Sequence, residues 1–78
     1  MQNRIKIGHV YQHFKGNKYI VVDIVNYSED ENEKMVIYQA LYGKREKWAR
    51  PLSMFESEVD RKKYPDVKQK FRFQEVEV

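Results

Sequence analysis

The sequence predicts a small, mainly β domain: a five-stranded antiparallel barrel with one short helix, one domain over 1–78. Short apolar runs recur at close spacing with turn signals between them, the pattern of all-β folds. The chain has 78 residues and no cysteine, so a thin core must hold it without cross-links. Six Tyr, four Phe and one Trp supply much of that core, because each ring buries a large area. Barrel closure would remove the exposed edges that five short strands otherwise leave.

The first strand is expected over 8–15, GHVYQHFK, which alternates loosely and is rich in aromatics. Gly16-Asn17 follows, and glycine takes the positive φ of a tight hairpin turn. The second strand, 19–27, YIVVDIVNY, is the strongest, since β-branched side chains suit a pleated surface. Regular alternation puts Ile20, Val22 and Ile24 on one face and Asp23 on the other, so those three are the expected core face.

The acidic segment 28–34 has no periodicity and reads as a loop. A third strand is expected over 35–42, a turn over 43–46 and a fourth strand over 47–51. Pro51 lacks a ladder donor, so it ends that strand or lies at an edge. Ser53-Met54-Phe55-Glu56 is a capping-box pattern and opens a helix expected over 53–63. Its acidic residues come first and its basic residues last, as the helix dipole favours. Phe55 and Val59 form its buried stripe, and Tyr64-Pro65 stops it. Residues 71–78, FRFQEVEV, alternate and read as the closing strand.

Net charge is +3, and its distribution says more than its sum. Segment 28–34 is acidic, whereas 44–50 and 61–72 are basic. The longest apolar run, 19–22, is far too short to span a bilayer, and the N-terminus lacks the apolar region of a signal peptide. No membrane partner is therefore expected, and the absence of cysteine is compatible with a reducing cytosol.

Among candidate functional residues, His9 and His13 share one strand face, but no spaced third ligand accompanies them, so no metal is expected. His13 is a candidate general base if the fold brings an acidic residue such as Glu29 to it. No nucleophile motif or glycine-rich phosphate loop is present. Trp48 and Arg50 lie two apart, so a regular strand puts an aromatic face beside a guanidinium. The alternative is a core Trp48 and an ion-paired Arg50. Two registers stay open: a four-residue turn sets Leu41 opposite Trp48, and a three-residue turn sets Ala40 there. The basic segment 61–72 could touch phosphate, but the preferred reading is a helix C-terminus, where three of its charges are stabilising without any partner.

Several of these residues carry a resemblance. Tyr11-Gln12-His13-Phe14-Lys15-Gly16, Tyr19, Ser28-Glu29, the stretch VIYQALYG over 36–43, Trp48-Ala49-Arg50-Pro51-Leu52, Met54-Phe55 and Arg72-Phe73 resemble the bacterial and archaeal family called domain of unknown function 1653. The resemblance implies a stand-alone cytoplasmic domain with a small SH3-like barrel, and it brings no activity. His13, Lys15, Glu29 and Arg50 are its polar motif positions. The chain departs from the family pattern at Asp30, where Thr is usual, and in its basic turn Lys44-Arg45-Glu46-Lys47.

The expected function is a non-enzymatic binding or interaction module without a cofactor. Trp48, Arg50, His13, Lys15 and Glu29 are its candidate ligand-binding residues. Its expected partner is a small anionic ligand, a peptide or single-stranded RNA. The alternatives are a single-stranded RNA-binding barrel and a small enzyme using His13.

Overall fold

The computed structural model describes residues 4–77. Its strands are β1 (Val10–His13), β2 (Lys18–Tyr27), β3 (Asp30–Ala40), β4 (Lys47–Pro51) and β5 (Phe73–Val76), with a one-turn helix α1 (Leu52–Phe55) after β4. All neighbouring strands pair antiparallel, in the order β4-β3-β2-β1-β5. The fold is therefore mainly β, with five antiparallel strands and one short helix. The ladder is not closed, however, because β4 and β5 remain its two edges. The closing strand is present and pairs with β1 from Val10↔Val76 to His13↔Phe73, while Val78 of the expected span lies outside the described residues. No helix among the described residues is long and apolar enough to cross a membrane.

The inward face of β2 differs from the alternation expected. Val21, not Val22, is buried at 1% exposure, and Val22 is 40% exposed. The cause is a β-bulge: Val21 pairs with Tyr38 and Asp23 with Ile37, so Val22 is an extra residue in the ladder. A bulge exchanges the faces of the strand beyond it. Tyr19 and Val21 face inward before it and Ile24 after it, so only Ile24 of the expected face packs against the core cluster.

The acidic loop expected over 28–34 is shorter. Ser28 and Glu29 alone make the turn, and β3 begins at Asp30, with an irregular register between Asn26↔Lys34 and Tyr27↔Asp30. The acidic side chains stay at the surface, so backbone pairing continues without apolar alternation. At the other end, β3 stops at Ala40 and a longer turn leads to β4. Neither expected register forms, because Tyr38 stands opposite Trp48. The Leu41 N–H donates to the Lys18 carbonyl at 3.0 Å and the Ala40 N–H to that of Glu46 at 2.9 Å. Gly43 (φ 56°) and Arg45 (φ 55°) take the left-handed conformations of this turn.

The helix expected over 53–63 is a single turn. Pro51 occupies its N-cap position without a side-chain cap, and the Ser53 hydroxyl donates to Glu33 Oε1 at 3.2 Å instead. Beyond it the backbone pairs with the chain preceding β5. The Arg72 N–H donates to the Ser57 carbonyl at 2.8 Å and the Val59 N–H to that of Lys70 at 2.9 Å. These long-range bonds satisfy backbone groups that a helix would otherwise pair. The basic residues sit instead on a tight turn, closed by the Tyr64 N–H donating to the Asp60 carbonyl at 2.8 Å. Phe55 and Val59 are both buried, as the stripe predicted.

The core lies on the inner face of the sheet, where Ile5, Tyr11, Val21, Val36, Tyr38, Phe55 and Phe73 cluster. Phe55 and Phe73 stack in parallel with centroids 4.0 Å apart. Burying each ring contributes about 1.5–3 kcal/mol. Tyr11 is fully buried, and its hydroxyl accepts from the Lys6 N–H and donates to the Arg4 carbonyl, which ties the N-terminal segment to the core.

Candidate functional site

Because the ladder is antiparallel, the C-terminal ends of β1 and β3 share one end of the sheet with the N-terminal ends of β2, β4 and β5. A cavity of about 270 Å³ opens at this end, lined by His13, Phe14, Lys15, Asp60, Lys63, Tyr64 and Arg72. His13 is the last residue of β1. The chain then turns through Gly16, whose φ of 110° suits glycine, with the Gly16 N–H donating to the His13 carbonyl at 2.7 Å. The Phe14 N–H donates to the Arg72 carbonyl at 3.0 Å, which holds the turn against the segment before β5. The turn at 60–64 brings Tyr64 to 4.8 Å from Phe14, centroid to centroid, and His13 stacks on Phe14 at 4.4 Å.

The polar groups of this cavity are mostly donors. The ammoniums of Lys15 and Lys63 each lie 5.6 Å from the Tyr64 ring centroid. Arg72 Nε is buried without a hydrogen-bond partner. Among the described residues the one basic–acidic side-chain contact within 4 Å is His9–Glu75 at 2.7 Å, so no carboxylate lies within that reach of Lys15, Lys63 or Arg72. Asp60 is the one acid in the lining, and its Oδ1 accepts the Lys62 N–H at 3.0 Å.

His13 sits in this field as a neutral ring. Burial, and then the charges of Arg50, Lys15 and Arg72, push its pKa down to about 4. Nδ1 accepts the Lys15 N–H at 3.1 Å, which places the proton of the neutral ring on Nε2. The lone pair that a general base needs is thereby engaged.

The structure brings three of the five expected residues together: His13, Lys15 and Arg50. Arg50 is half-buried, donates from Nε to the Tyr38 hydroxyl at 3.3 Å and lies 5.6 Å from the Phe73 ring centroid. Trp48 is 49% exposed, so it is not a core residue. It lines a second recess of about 200 Å³ with Ala40, Tyr42, Lys44 and Glu46. Glu29 sits in the β2–β3 turn, at the far end of a ten-residue strand, on the order of 30 Å from His13. It is not placed to orient that ring.

Sequence reading did not single out Phe14, Lys63, Tyr64 or Arg72 as one site. The signals were the basic segment 61–72 and the Arg72-Phe73 motif. Neither signal indicates by itself that the turn at 60–64 folds back against the end of β1, which takes the long-range pairing of 57–59 with 70–72. Among the described residues no group of three His, Asp or Glu is placed to hold a metal ion.

Comparison with known proteins returns a family. The family model described as "Protein of unknown function (DUF1653)" matches residues 9–75, a span that contains every residue lining the cavity. No curated protein and no solved structure matches the chain.

Proposed function

The chain belongs to the DUF1653 family of proteins of unknown function, and from that premise we propose that it is a binding module for an anionic group of the phosphate class. The site is the cavity between Lys15, Lys63, His13 and Arg72. The observation that carries this reading is the buried Arg72 Nε without a partner. A desolvated donor that meets no acceptor is costly, by about 1–3 kcal/mol or more for a charged group. A bound oxyanion would supply the acceptor, with a planar guanidinium suited to phosphate oxygens. The neutral His13 offers an Nε2–H donor and no free base, which favours binding over catalysis.

The same reading accounts for the shape. We take the sheet as an incompletely closed SH3-like barrel whose edges approach through side chains, with Arg50 of β4 resting by Phe73 of β5. That approach brings Arg50 close enough to act on His13.

Calorimetric titration with inorganic phosphate tests the proposal. Lys15 and Lys63 are exposed, so Lys15→Gln with Lys63→Gln should leave the melting temperature nearly unchanged. Each cation should contribute about 0.5–1 kcal/mol, so the double variant should bind phosphate roughly five- to thirty-fold more weakly. Undiminished phosphate binding by the double variant would contradict the site.

A further inference from the structure

The cavity is not the only feature at this end of the sheet. Tyr42 and Trp48 are 45% and 49% exposed, and they flank a recess floored by the buried Ala40. The Tyr42 and Tyr19 hydroxyls are 2.8 Å apart, which fixes one wall. A continuous run of rings links this recess to the cavity. Tyr42 lies 5.6 Å from Tyr19, Tyr19 5.8 Å from Phe73, Phe73 4.9 Å from His13 and His13 4.4 Å from Phe14.

The ring run passes beneath the surface through the buried Phe73, and basic residues stand at both of its ends. Lys44, Arg45 and Lys47 stand in and after the turn beside the recess, with Glu46 the one acid among them. Lys15, Lys63 and Arg72 surround the cavity. The acidic residues Glu29, Asp30, Glu31 and Glu33 lie at the opposite end of the β2–β3 hairpin. The molecule is thus polarised along its strands, with exposed aromatic faces only partly covered at its positive end.

We propose that the anion taken in the cavity is a backbone phosphate of a single-stranded nucleic acid, another of whose bases stacks in the Tyr42–Trp48 recess. This rests on the anion-binding reading above and adds the occupant. A cationic track interleaved with exposed aromatics is the chemistry that holds single strands, because any base offers a flat face to a ring. An acidic peptide would match the charge but not two aromatic walls. A duplex would match the charge but keeps its base faces stacked inside, out of reach of Trp48.

The test uses the whole chain, a short end-labelled oligouridylate and inorganic phosphate. Trp48 is the single Trp, so its fluorescence reports the recess. The oligouridylate should quench it and bind at least about tenfold more tightly than phosphate. Its observed affinity should fall with salt at a log–log slope of about −0.7 for each contacted phosphate. Trp48→Ala should weaken oligouridylate binding about fivefold or more, the low end of one stacked base, and leave phosphate binding unchanged. Trp48→Phe keeps a stacking face and should retain most of the affinity. Two results overturn this proposal while the anion site stands: phosphate binding with no gain for the oligouridylate, or a duplex bound as tightly as the single strand. Binding of neither probe overturns both.

Discussion

His13 shows how a single side chain records its surroundings. Burial and the nearby cations Arg50, Lys15 and Arg72 hold its pKa near 4, below the ordinary 6.5. The unfolded chain therefore binds a proton that the folded chain refuses between these two values. Stability from this group is fully present above about pH 6.5 and is lost as pH falls towards about 4. Denaturant melts across that window should show stability falling with pH, and His13→Gln should flatten the fall. Proton NMR of the His13 ring should give a midpoint well below that of an ordinary histidine. A midpoint near 6.5 would mean that the ring is not buried beside the three cations as described. A bound anion offsets these positive charges and favours the protonated ring, so phosphate should raise that midpoint.

The strand β2 makes a second test. Val21→Ala removes two methyl groups from a fully buried site and should cost on the order of 1–3 kcal/mol, whereas Val22→Ala on the bulge should cost within about 0.5 kcal/mol. Urea melts showing Val22→Ala to be the more damaging would place the bulge elsewhere. This element also marks how much of the fold is legible in the sequence. The β-branched run over 19–27 and the alternating end of the chain announce strands, and Gly16 announces its turn, because each signal is local. The bulge at Val22 is not legible, since alternation identifies an inward face only while the ladder is uninterrupted. The capping box at Ser53 misleads for a related reason. Its local preference for a helix is weak, and backbone pairing of Ser57 and Val59 with Arg72 and Lys70 overrides it. Phe55 and Val59 are buried either way, so their apolar spacing does not distinguish a helix from the observed path.

At the scale of the whole molecule, antiparallel pairing turns charge patterning along the sequence into a polarised surface. The acidic β2–β3 turn and the basic β3–β4 turn are hairpins at opposite ends of β3, so they must lie at opposite ends of the sheet. On the proposed anion-binding reading, that separation would steer an anion towards the end that holds the cavity. Part of the cavity is legible in the sequence, because the candidate residues His13 and Lys15 lie two apart on one segment. The rest is not, because Lys63, Tyr64 and Arg72 reach it only through the long-range pairing of the segments around 57–59 and 70–72. Trp48 and Arg50 share a strand face, but Arg50 turns towards Tyr38 and Phe73 while Trp48 stays at the exposed edge. The most direct measurement of the anion site is an amide NMR titration of the chain with inorganic phosphate. Saturable shifts should converge on His13, Lys15, Lys63, Tyr64 and Arg72, two stretches far apart in sequence and joined only by this fold. Shifts that stay absent there, or that collect instead at Gly8–Val10 and Glu75 at the opposite end of β1, would contradict the account.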